Sequence, residues 1–405
     1  MSLSLIGKSI ATSATLKLNE TAAILRAKGE PVIHLGGGEP KSKAPIDALT
    51  AAAGLLNTAE VRYTPADGTP AMKQAIIRYT DEYYHRRVEP ENVIASGGAK
   101  QAIMCALQAI LNPQEELIYP APYWVSYPEM AKMIGAIPVP VLAEDGTFYP
   151  RLYDIERRVT SYTKCIIINS PNNPTGAMYS EQFIAEIVEF CEKRGIWLIM
   201  DDIYHRLIFD GRKPINCWDY AKDKTENSKL IIINGVSKQY AMTGFRIGWA
   251  VGNKKLIEAM TNIQSHQTSG PSAIVQAASV GALNGIQSSV ESLRLTLENN
   301  RNVMMSVLNS FDGVKTTKPD GTFYCFADFR AYEKDSWKLA KFLLEKVRVV
   351  VVPGVEFGLE GYIRLSTCGT IKDITEGIER LKWALDPNSP NELYIGERKL
   401  IRDWL

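Results

Sequence analysis

Short runs of mainly apolar residues alternate along this chain with longer segments whose apolar positions recur every three or four residues. The segment Ala99–Leu111 is apolar at 99, 102, 103, 106, 107 and 110, which is the spacing of one buried helix face. The short runs lack polar alternation, as expected for strands that are covered on both faces. These candidate strands are Asn92–Ser96, Glu116–Tyr119, Cys165–Asn169, Ile196–Met200, Leu230–Asn234 and Ile247–Val251. The alternation predicts an α/β fold with helices on both faces of a sheet.

The pattern changes near residue 290, where a long helical stretch is followed by short apolar segments at 321–324, 349–354 and 362–366. This part predicts a smaller α+β domain, which we expect the first 40 or so residues to join. The tail from Asp386 is rich in proline and asparagine and ends in a short amphipathic piece. We therefore predict three parts: an N-terminal arm with part of the small domain (1–43), a large domain (44–290) and a C-terminal small domain (291–405).

Composition narrows the class of protein. With 405 residues the chain can hold two domains, and its formal net charge of +1 creates no field that favours nucleic acid or an anionic membrane. The six cysteines are scattered without zinc spacing, so we expect reduced, mostly buried thiols and no metal site. The chain shows neither a signal peptide nor a stretch of membrane-spanning length, so we expect a cytoplasmic protein.

A lysine follows one of the predicted strands. Lys238 comes after Leu230–Asn234, with Ser237 before it and Arg246 eight positions later. Ligands of α/β sheets gather in loops at the carboxyl ends of strands. A lysine amine there can form an imine with an aldehyde cofactor, while a hydroxyl and a guanidinium hold its phosphate. The alternative is a surface loop in which the lysine is solvated and the arginine covers apolar surface.

Two further loops follow predicted strands. In 96–100, Ser-Gly-Gly-Ala-Lys opens a helix, and exposed amides at a helix start favour phosphate, although glycine-rich turns are also ordinary connectors. In 170–176, Ser-Pro-Asn-Asn-Pro-Thr-Gly can present an asparagine amide to a phenolate oxygen, or it can be a plain tight turn.

Asp201 ends another apolar run, where a carboxylate is costly unless it meets a cation such as a protonated pyridine nitrogen. Tyr204 is three residues further on and could donate to a ring oxygen. The alternative is a helix N-cap by either aspartate, which suits Asp202. Trp124, in the loop after Glu116–Tyr119, can stack on a flat ring or pack on the core. Together these groups match the demands of pyridoxal 5'-phosphate.

The motifs Gly-Gly-Ala-Lys, Pro-Tyr-Trp, Ser-Pro-Asn-Asn-Pro-Thr-Gly, Asp-x-x-Tyr, Ser-Lys-x-x-Ala-Met-Thr-Gly-x-Arg and Ile-Arg-Leu-Ser occur in this order. In this set the chain resembles the class I/II aminotransferases of fold type I, most closely their prokaryotic-type aspartate aminotransferase branch, from about residue 10 to 385. The resemblance implies a large domain with a mostly parallel seven-stranded sheet sandwiched by helices, plus a smaller α+β domain. It also implies a homodimer with shared active sites.

The resemblance further implies a role for individual residues. Lys238 would form the imine and transfer protons, Asp201 would hold the pyridine nitrogen, and Tyr204 would donate to the ring oxygen. The other cofactor contacts it implies are the ring contacts Asn173 and Trp124 and the phosphate contacts Gly98, Ala99, Ser237, Arg246 and, from the neighbouring subunit, Tyr63. The substrate contacts it implies are Arg364 and Gly38 for the α-carboxylate, Trp124 and Asn173 beside it, and Lys100, Ser13 and Thr15 for a distal carboxylate.

The implied reaction is ping-pong transamination, most simply between aspartate and 2-oxoglutarate. After Glu39-Pro40 the family usually has an aspartate and an aromatic residue, whereas this chain has Lys41-Ser42-Lys43, so other donors stay open. The alternatives are prephenate, aromatic or alanine specificity, and a lyase of the same fold. A non-catalytic regulator is a further class, but the chain leaves no length for an added basic DNA-binding domain.

Overall fold

The computed structural model describes residues 3–10, 14–144, 146–221, 225–395 and 398–404. The strands are β1 (Ile33–His34), β2 (Val93–Ser96), β3 (Glu116–Ala121), β4 (Ile137–Leu142), β5 (Thr163–Asn169), β6 (Trp197–Asp201), β7 (Leu230–Gly235), β8 (Gly248–Val251), β9 (Lys315–Thr316), β10 (Tyr324–Asp328), β11 (Val349–Val350), β12 (Val352–Pro353), β13 (Tyr362–Ser366), β14 (Glu392–Ile395) and β15 (Arg398–Ile401). The α-helices are α1 (Leu5–Ser9), α2 (Ala14–Ala27), α3 (Ile46–Asn57), α4 (Pro70–Tyr84), α5 (Ala99–Ile110), α6 (Ser126–Met133), α7 (Leu152–Glu156), α8 (Glu181–Arg194), α9 (Lys254–Gln267), α10 (Ala273–Asn284), α11 (Ser288–Asn309), α12 (Ser336–Val347) and α13 (Ile371–Leu385). Short 3₁₀ turns lie at Pro90–Asn92, Cys217–Asp219, Thr243–Phe245 and Gly354–Phe357.

A seven-stranded sheet in the order β2-β8-β7-β6-β5-β3-β4 forms the centre of the large domain. Its strands run parallel except β8, which is antiparallel to both of its neighbours. The predicted fold class is therefore confirmed, and each of the six predicted strands is present. The strand that the apolar pattern missed is β4, which carries Pro138 and Pro140. Proline has no amide hydrogen to donate to a neighbouring strand. It is tolerated in β4 because this strand lies at the sheet edge and has a neighbour on one side only.

Two hydrophobic layers cover the sheet. Successive side chains of a strand point to opposite faces, so Ile166 and Ile168 enter one layer and Ile167 the other. Helices α4, α8 and α10 supply the first layer, whereas α5, α6 and α9 supply the second. Because both faces are dry, polar side chains of the parallel strands can meet a ligand only at the strand ends.

The smaller sheet is antiparallel in the order β12-β13-β10-β9. The first strand of the chain, β1, pairs in parallel with β11, so residues 33–34 lie with the C-terminal part. The next residue, Leu35, contacts β13 as well, because its carbonyl accepts from the amide of Ser366 at 2.6 Å. The pairing delivers the segment 36–38 to the end of β13, beside the large sheet.

The proline-rich tail contains the antiparallel pair β14–β15, and Trp404, three residues after the end of β15, packs on the small domain. The Trp404 ring meets those of Trp383 and Phe342 at 5.5 and 5.6 Å, and its indole nitrogen donates to the Ala384 carbonyl at 3.1 Å. Arg402 donates to the carbonyls of Trp383 and Ser389. The tail thus closes the carboxyl end of α13. None of the helices in the described ranges has the length and apolar character needed to cross a membrane.

We predict that Trp404→Ala lowers the free energy of unfolding by about 2 kcal/mol, because a partly buried indole loses its ring contacts and its hydrogen bond. Thermal unfolding measures this as a fall in Tm of a few degrees. Tyr394→Ala on the same hairpin is the matched control, since Tyr394 is 64% exposed. Equal Tm values for the two variants would show that the tail does not stabilise the small domain.

Candidate active site

The amine of Lys238 lies at the carboxyl edge of the large sheet, in the turn after β7. Its Nζ donates to the carbonyl of Gly38 at 2.7 Å and lies 5.8 Å from the centre of the Phe323 ring. The turn is tight at Gly235, where a Cβ would stand 2.9 Å from the Ile247 carbonyl. Burial of the amine lowers the pKa of Lys238 to about 8. The unprotonated fraction near neutral pH is therefore larger than for a solvated lysine, which favours a nucleophilic role.

Asp201 ends the neighbouring strand β6 and is buried. The hydroxyl of Tyr127 donates to its Oδ2 at 2.6 Å, and the Ile203 amide donates to its Oδ1 at 3.4 Å. Burial raises the pKa of Asp201 to about 6, while the Tyr127 hydrogen bond opposes this shift. An acid held in this way is stabilised in its ionised form by a cation. Asp202 does not cap a helix: turns follow β6, and Oδ2 of Asp202 accepts from the Tyr84 hydroxyl.

Tyr127 is a site residue that the sequence analysis did not identify. It lies three residues after Trp124, in the first turn of α6, and its ring is fully buried. The signal available was its helical spacing from Trp124, but an aromatic at such a position is equally typical of a packed core. Only the folded chain shows that its hydroxyl meets Asp201.

Asn173 follows β5 and is buried. Its backbone amide donates to Oδ1 of Asn169 at 2.9 Å, and Nδ2 of Asn169 donates to the Asp201 carbonyl at 2.8 Å. The loop after β5 is thereby fixed to the end of β6. Oδ1 of Asn173 accepts from Arg364, which leaves its Nδ2 as the group that can donate to a ligand.

Arg364 lies in the middle of β13, and its side chain is buried. Nη1 donates to Asn173 Oδ1 at 3.0 Å and Nη2 donates to the Gly36 carbonyl at 3.1 Å, while its Nε has no partner. The guanidinium carbon lies 4.2 Å from the centre of the Tyr324 ring and 4.8 Å from that of Phe357. Among the residues that the structure describes, no carboxylate forms an ion pair with it. A buried, unpaired guanidinium is costly and is satisfied by an incoming carboxylate.

The start of α5 and Arg246 form a positive, glycine-lined hollow. Gly98 has a φ of 96°, and a Cβ there would lie 2.6 Å from Nη2 of Arg246. A Cβ on Gly248 would lie 2.1 Å from the Ala99 nitrogen, so β8 can approach the helix start only without a side chain. Ser237 is buried in the adjoining turn. Helix amides and a guanidinium together suit a phosphate dianion.

Tyr204 is buried in the turn after β6, edge-on to Phe323 at 5.6 Å and to Tyr324 at 6.1 Å. Burial raises its pKa well above the ordinary value, so its hydroxyl stays protonated and can donate. The Tyr324 hydroxyl would lie 3.1 Å from a Cβ at position 38, which explains the glycine there. Tyr324 is the second residue of the site that the motifs did not identify.

Trp124 stands at 89° to the ring of Tyr127, with the ring centres 5.5 Å apart, on the Asp201 side of the site. The Lys100 ammonium lies 5.0 Å from the centre of the Trp124 ring. A cavity of about 590 Å³ opens beside this pair, and Lys100 and Arg246 contribute to its wall. The cavity adjoins the lysine site rather than containing Lys238.

Three predicted site residues are not brought to this edge by the described chain. Tyr63 projects from the loop after α3 and is 98% exposed. Ser13 lies outside the described residues, and Thr15 belongs to α2, where its side chain is not described. The others lie after β2, β3, β5, β6 and β7, just before β8, on β13, or in the segment before Glu39.

Known proteins are similar to this chain in sequence and in fold. A family model described as aminotransferase class I and II matches residues 30–381. An aspartate aminotransferase of Streptomyces avermitilis is 37% identical over 391 residues, covering 93% of this chain and 94% of that protein. A probable aspartate/prephenate aminotransferase of Aquifex aeolicus is 36% identical over 380 residues, covering 92% and 96%. The solved aspartate aminotransferase of Thermus thermophilus with maleate is 33% identical, with a TM-score of 0.89, over 94% of this chain and 99% of that one.

The fold is that of the fold type I aminotransferases. The chain belongs to the aminotransferases of class I and II. The resemblance inferred from the motifs is thereby confirmed, as is the expectation that the protein is an aminotransferase.

We predict that the reactivity of Lys238 in the cofactor-free protein depends on pH with a midpoint near 8. Only the unprotonated amine attacks an aldehyde, so the rate of reductive alkylation rises as pH increases through this pKa and falls below it. Peptide mass spectrometry measures the rate at each pH, with the exposed Lys193 as the internal control. A common midpoint for both lysines would contradict the burial effect.

Proposed function

We propose that this chain is a pyridoxal 5'-phosphate-dependent aspartate aminotransferase that transfers the amino group between aspartate and 2-oxoglutarate by a ping-pong mechanism. The relatives named as aspartate aminotransferases, each matched over more than nine-tenths of its length, support this activity. The observation that carries the proposal is the meeting of three groups at one edge: a lysine of lowered pKa, a buried acid and a buried arginine without an acidic partner.

The residues present fit the cofactor at each of its functional groups. Lys238 is available to its aldehyde, Asp201 to its protonated ring nitrogen, and Tyr204 and Nδ2 of Asn173 to its phenolate oxygen. The helix-start amides and the Arg246 guanidinium beside Gly98 offer donors and positive charge to its phosphate. When bound, the cofactor supplies an electron sink for the pair left on the substrate Cα after loss of its proton.

Lys238 moves the proton. Its Nζ would take the proton from the substrate Cα and give it back in the later step of transamination. Its lowered pKa lets the amine accept a proton near neutral pH. The Gly38 carbonyl, which accepts from Nζ, holds the amine on the side of the site that faces β13.

Asp201 would keep the ring nitrogen of the cofactor protonated. The Tyr127 hydroxyl and the Ile203 amide donate to its two oxygens and stabilise the carboxylate form. Because the carboxyl group is buried, a neighbouring cation interacts with it more strongly than it would in water. Asp201 would therefore favour the protonated form of the cofactor ring, which withdraws electrons more strongly.

Arg364 binds the substrate α-carboxylate. Its guanidinium is packed between Tyr324 and Phe357 and anchored by Asn173 and Gly36, so its orientation is fixed before the substrate arrives. A planar guanidinium of this kind binds a carboxylate through two parallel hydrogen bonds. This orients the Cα–H bond towards Lys238.

A second carboxylate on the substrate would meet Lys100, whose ammonium rests on the face of Trp124 at the mouth of the site. The Thermus thermophilus relative was solved with maleate, a dicarboxylate. Prephenate also carries a second carboxylate, and the Aquifex aeolicus relative is named for it as well as for aspartate. Prephenate is therefore the second candidate acceptor.

We further propose that the enzyme is a homodimer to whose neighbouring phosphate site Tyr63 contributes. The exposed tyrosine is accompanied by exposed apolar side chains on α3, on the loop after it and beside α10. These are Ile46, Leu49, Leu56, Val61 and Ile286. An exposed apolar patch is typical of a surface that another chain covers.

The test of the proposed function is a half-reaction. Aspartate added to the cofactor-loaded enzyme should bleach its visible absorbance and release oxaloacetate, whereas alanine and phenylalanine should act at least about tenfold more slowly, because they leave Lys100 unpaired. Lys238→Ala should bind the cofactor and lose transamination by several orders of magnitude. Arg364→Leu should instead raise KM. Release of ammonia in place of a stoichiometric amine form would identify a lyase and contradict the proposal.

We predict that Lys100→Met raises the KM for aspartate about tenfold, because one charge-assisted contact to the distal carboxylate is lost. The slow rate with alanine should not change. Lys132→Met is the matched control, since Lys132 lines the same cavity but is paired with Glu129 at 2.8 Å. Steady-state kinetics with both donors measure this, and an equal loss with alanine would show that Lys100 acts on the cofactor instead.

A further inference from the structure

Behind the site, on the α4 side of the sheet, a buried chain of polar side chains connects the residue after Lys238 with the residue after Asp201. Every member has less than a twentieth of its surface exposed. In order, the members are Gln239, Tyr79, His205, Asn234, Tyr84 and Asp202. Helix α4 supplies both tyrosines, and the ends of β6 and β7 supply the rest.

The direction of each hydrogen bond follows from the amide of Gln239. Its Nε2 donates to Oδ1 of Asn234 at 3.2 Å and to the Gly235 carbonyl at 3.1 Å, so its Oε1 is left to accept. The Tyr79 hydroxyl donates to that Oε1 at 3.0 Å. A hydroxyl has one hydrogen, so Tyr79 accepts from Nε2 of His205, which lies 2.9 Å away.

His205 is thereby assigned one tautomer. Its Nε2 carries the hydrogen, and its Nδ1 accepts from Nδ2 of Asn234 at 3.0 Å. The other hydrogen of that amide goes to the Tyr84 hydroxyl at 2.9 Å, which donates to Oδ2 of Asp202 at 3.1 Å. The 3.2 Å separation between Nδ1 and the Asp202 carbonyl is then a contact between two acceptors. Burial lowers the pKa of His205 to about 3, so the ring is neutral.

We propose that this chain of hydrogen bonds, centred on a neutral His205, sets the position of Lys238 relative to Asp201, so that Tyr79, His205 and Gln239 are positioning residues for amino transfer. The inference rests on the proposed function. Strands β6 and β7 pair in register as far as Asp201 and Ile233, so the ladder between these two strands does not extend to Lys238. The Gln239 side chain links the Lys238 loop directly to Asn234. Through the Tyr79 hydroxyl it also links that loop to His205, which lies in the loop after Asp201.

Position matters here because proton transfer is sensitive to sub-ångström displacement of the base. Each internal member of the chain donates and accepts, so removal of one hydroxyl leaves a buried acceptor or donor without a partner on either side. The site would then relax by reorienting Gln239 and moving Lys238, the residue before it.

The first experiment observes the tautomer directly. The chain has four histidines, so nitrogen-15 NMR of histidine-labelled full-length enzyme gives few signals, and those of His205 are identified by their loss in His205→Gln. We expect a protonated Nε2, an unprotonated Nδ1 and no titration between about pH 6 and 9, with and without cofactor. A proton on Nδ1, or titration near the ordinary histidine pKa, would overturn the assignment.

The second experiment removes one hydroxyl. Tyr79→Phe should lower kcat roughly tenfold with the KM for aspartate changed less than about twofold, since positioning acts on the proton transfer and not on Arg364. It should also shift the pH midpoint of Lys238 alkylation in the cofactor-free protein. Tyr83→Phe is the matched control, because the ring of Tyr83 packs on Tyr79 from the same helix but lies outside the chain of hydrogen bonds. It should match the wild type in both measurements.

The outcomes separate this proposal from the proposed function. If Tyr79→Phe leaves the alkylation midpoint and kcat unchanged, the positioning role is wrong even though the enzyme transaminates. If the wild type transaminates no donor, the proposed function fails, while the tautomer and the alkylation midpoint of cofactor-free protein still decide whether the buried chain positions Lys238.

Discussion

The partial burial of the Lys238 amine is the constraint on which the remaining site depends. An ammonium that is shielded from water is costly, so the pKa of Lys238 is lowered and its amine donates to the carbonyl of Gly38. This state requires a dry sheet edge, which two covered faces provide. It also requires the N-terminal segment to reach the end of β7, because the carbonyl that accepts from the amine is that of Gly38. The pairing of β1 with β11 delivers that segment.

The same desolvation gives the other charges their effect. Asp201 and Arg364 approach the lysine from opposite directions, one from the large sheet and one from the small sheet, and both are buried. Each is stabilised by a neutral donor or acceptor instead of a counter-ion: Tyr127 for the acid, Asn173 and Gly36 for the guanidinium. Charges held by neutral groups remain free to bind opposite charges on incoming molecules. In the function that we propose, a ring cation would meet Asp201 and a substrate carboxylate would meet Arg364.

Much of the fold could be predicted from the sequence, for identifiable physical reasons. The strands β5, β6 and β7 are continuous apolar runs because helices cover both of their faces, and α5 has clean helical spacing. Strand β4 was missed because its two prolines and half-exposed pattern are those of an edge strand. The tail hairpin was missed because its order derives from Trp404 and Arg402 packing on a distant helix, which no local pattern reports.

The residues of the candidate site also divide into those that the sequence predicts and those that it does not. Residues in loops after strands, such as Lys238 and Asp201, stand out by position and chemistry, and their convergence follows from the parallel strands that carry them. Tyr127, Tyr324 and the buried chain from Gln239 to Asp202 could not be found, because aromatic and amide side chains in helices and strands are typical of any core. Their significance lies in contacts with residues that are distant in the sequence, such as Tyr127 with Asp201 and Tyr79 with His205 and Gln239, which exist only once the chain is folded.

Reduction with borohydride followed by peptide mapping tests the proposal that a B6 aldehyde binds covalently to Lys238. We expect the reduced holoenzyme to carry one pyridoxyl phosphate per chain, on the peptide containing Lys238, and the Lys238→Ala variant to carry none. Labelling of a different lysine, or a reduced protein whose mass is unchanged, would contradict it.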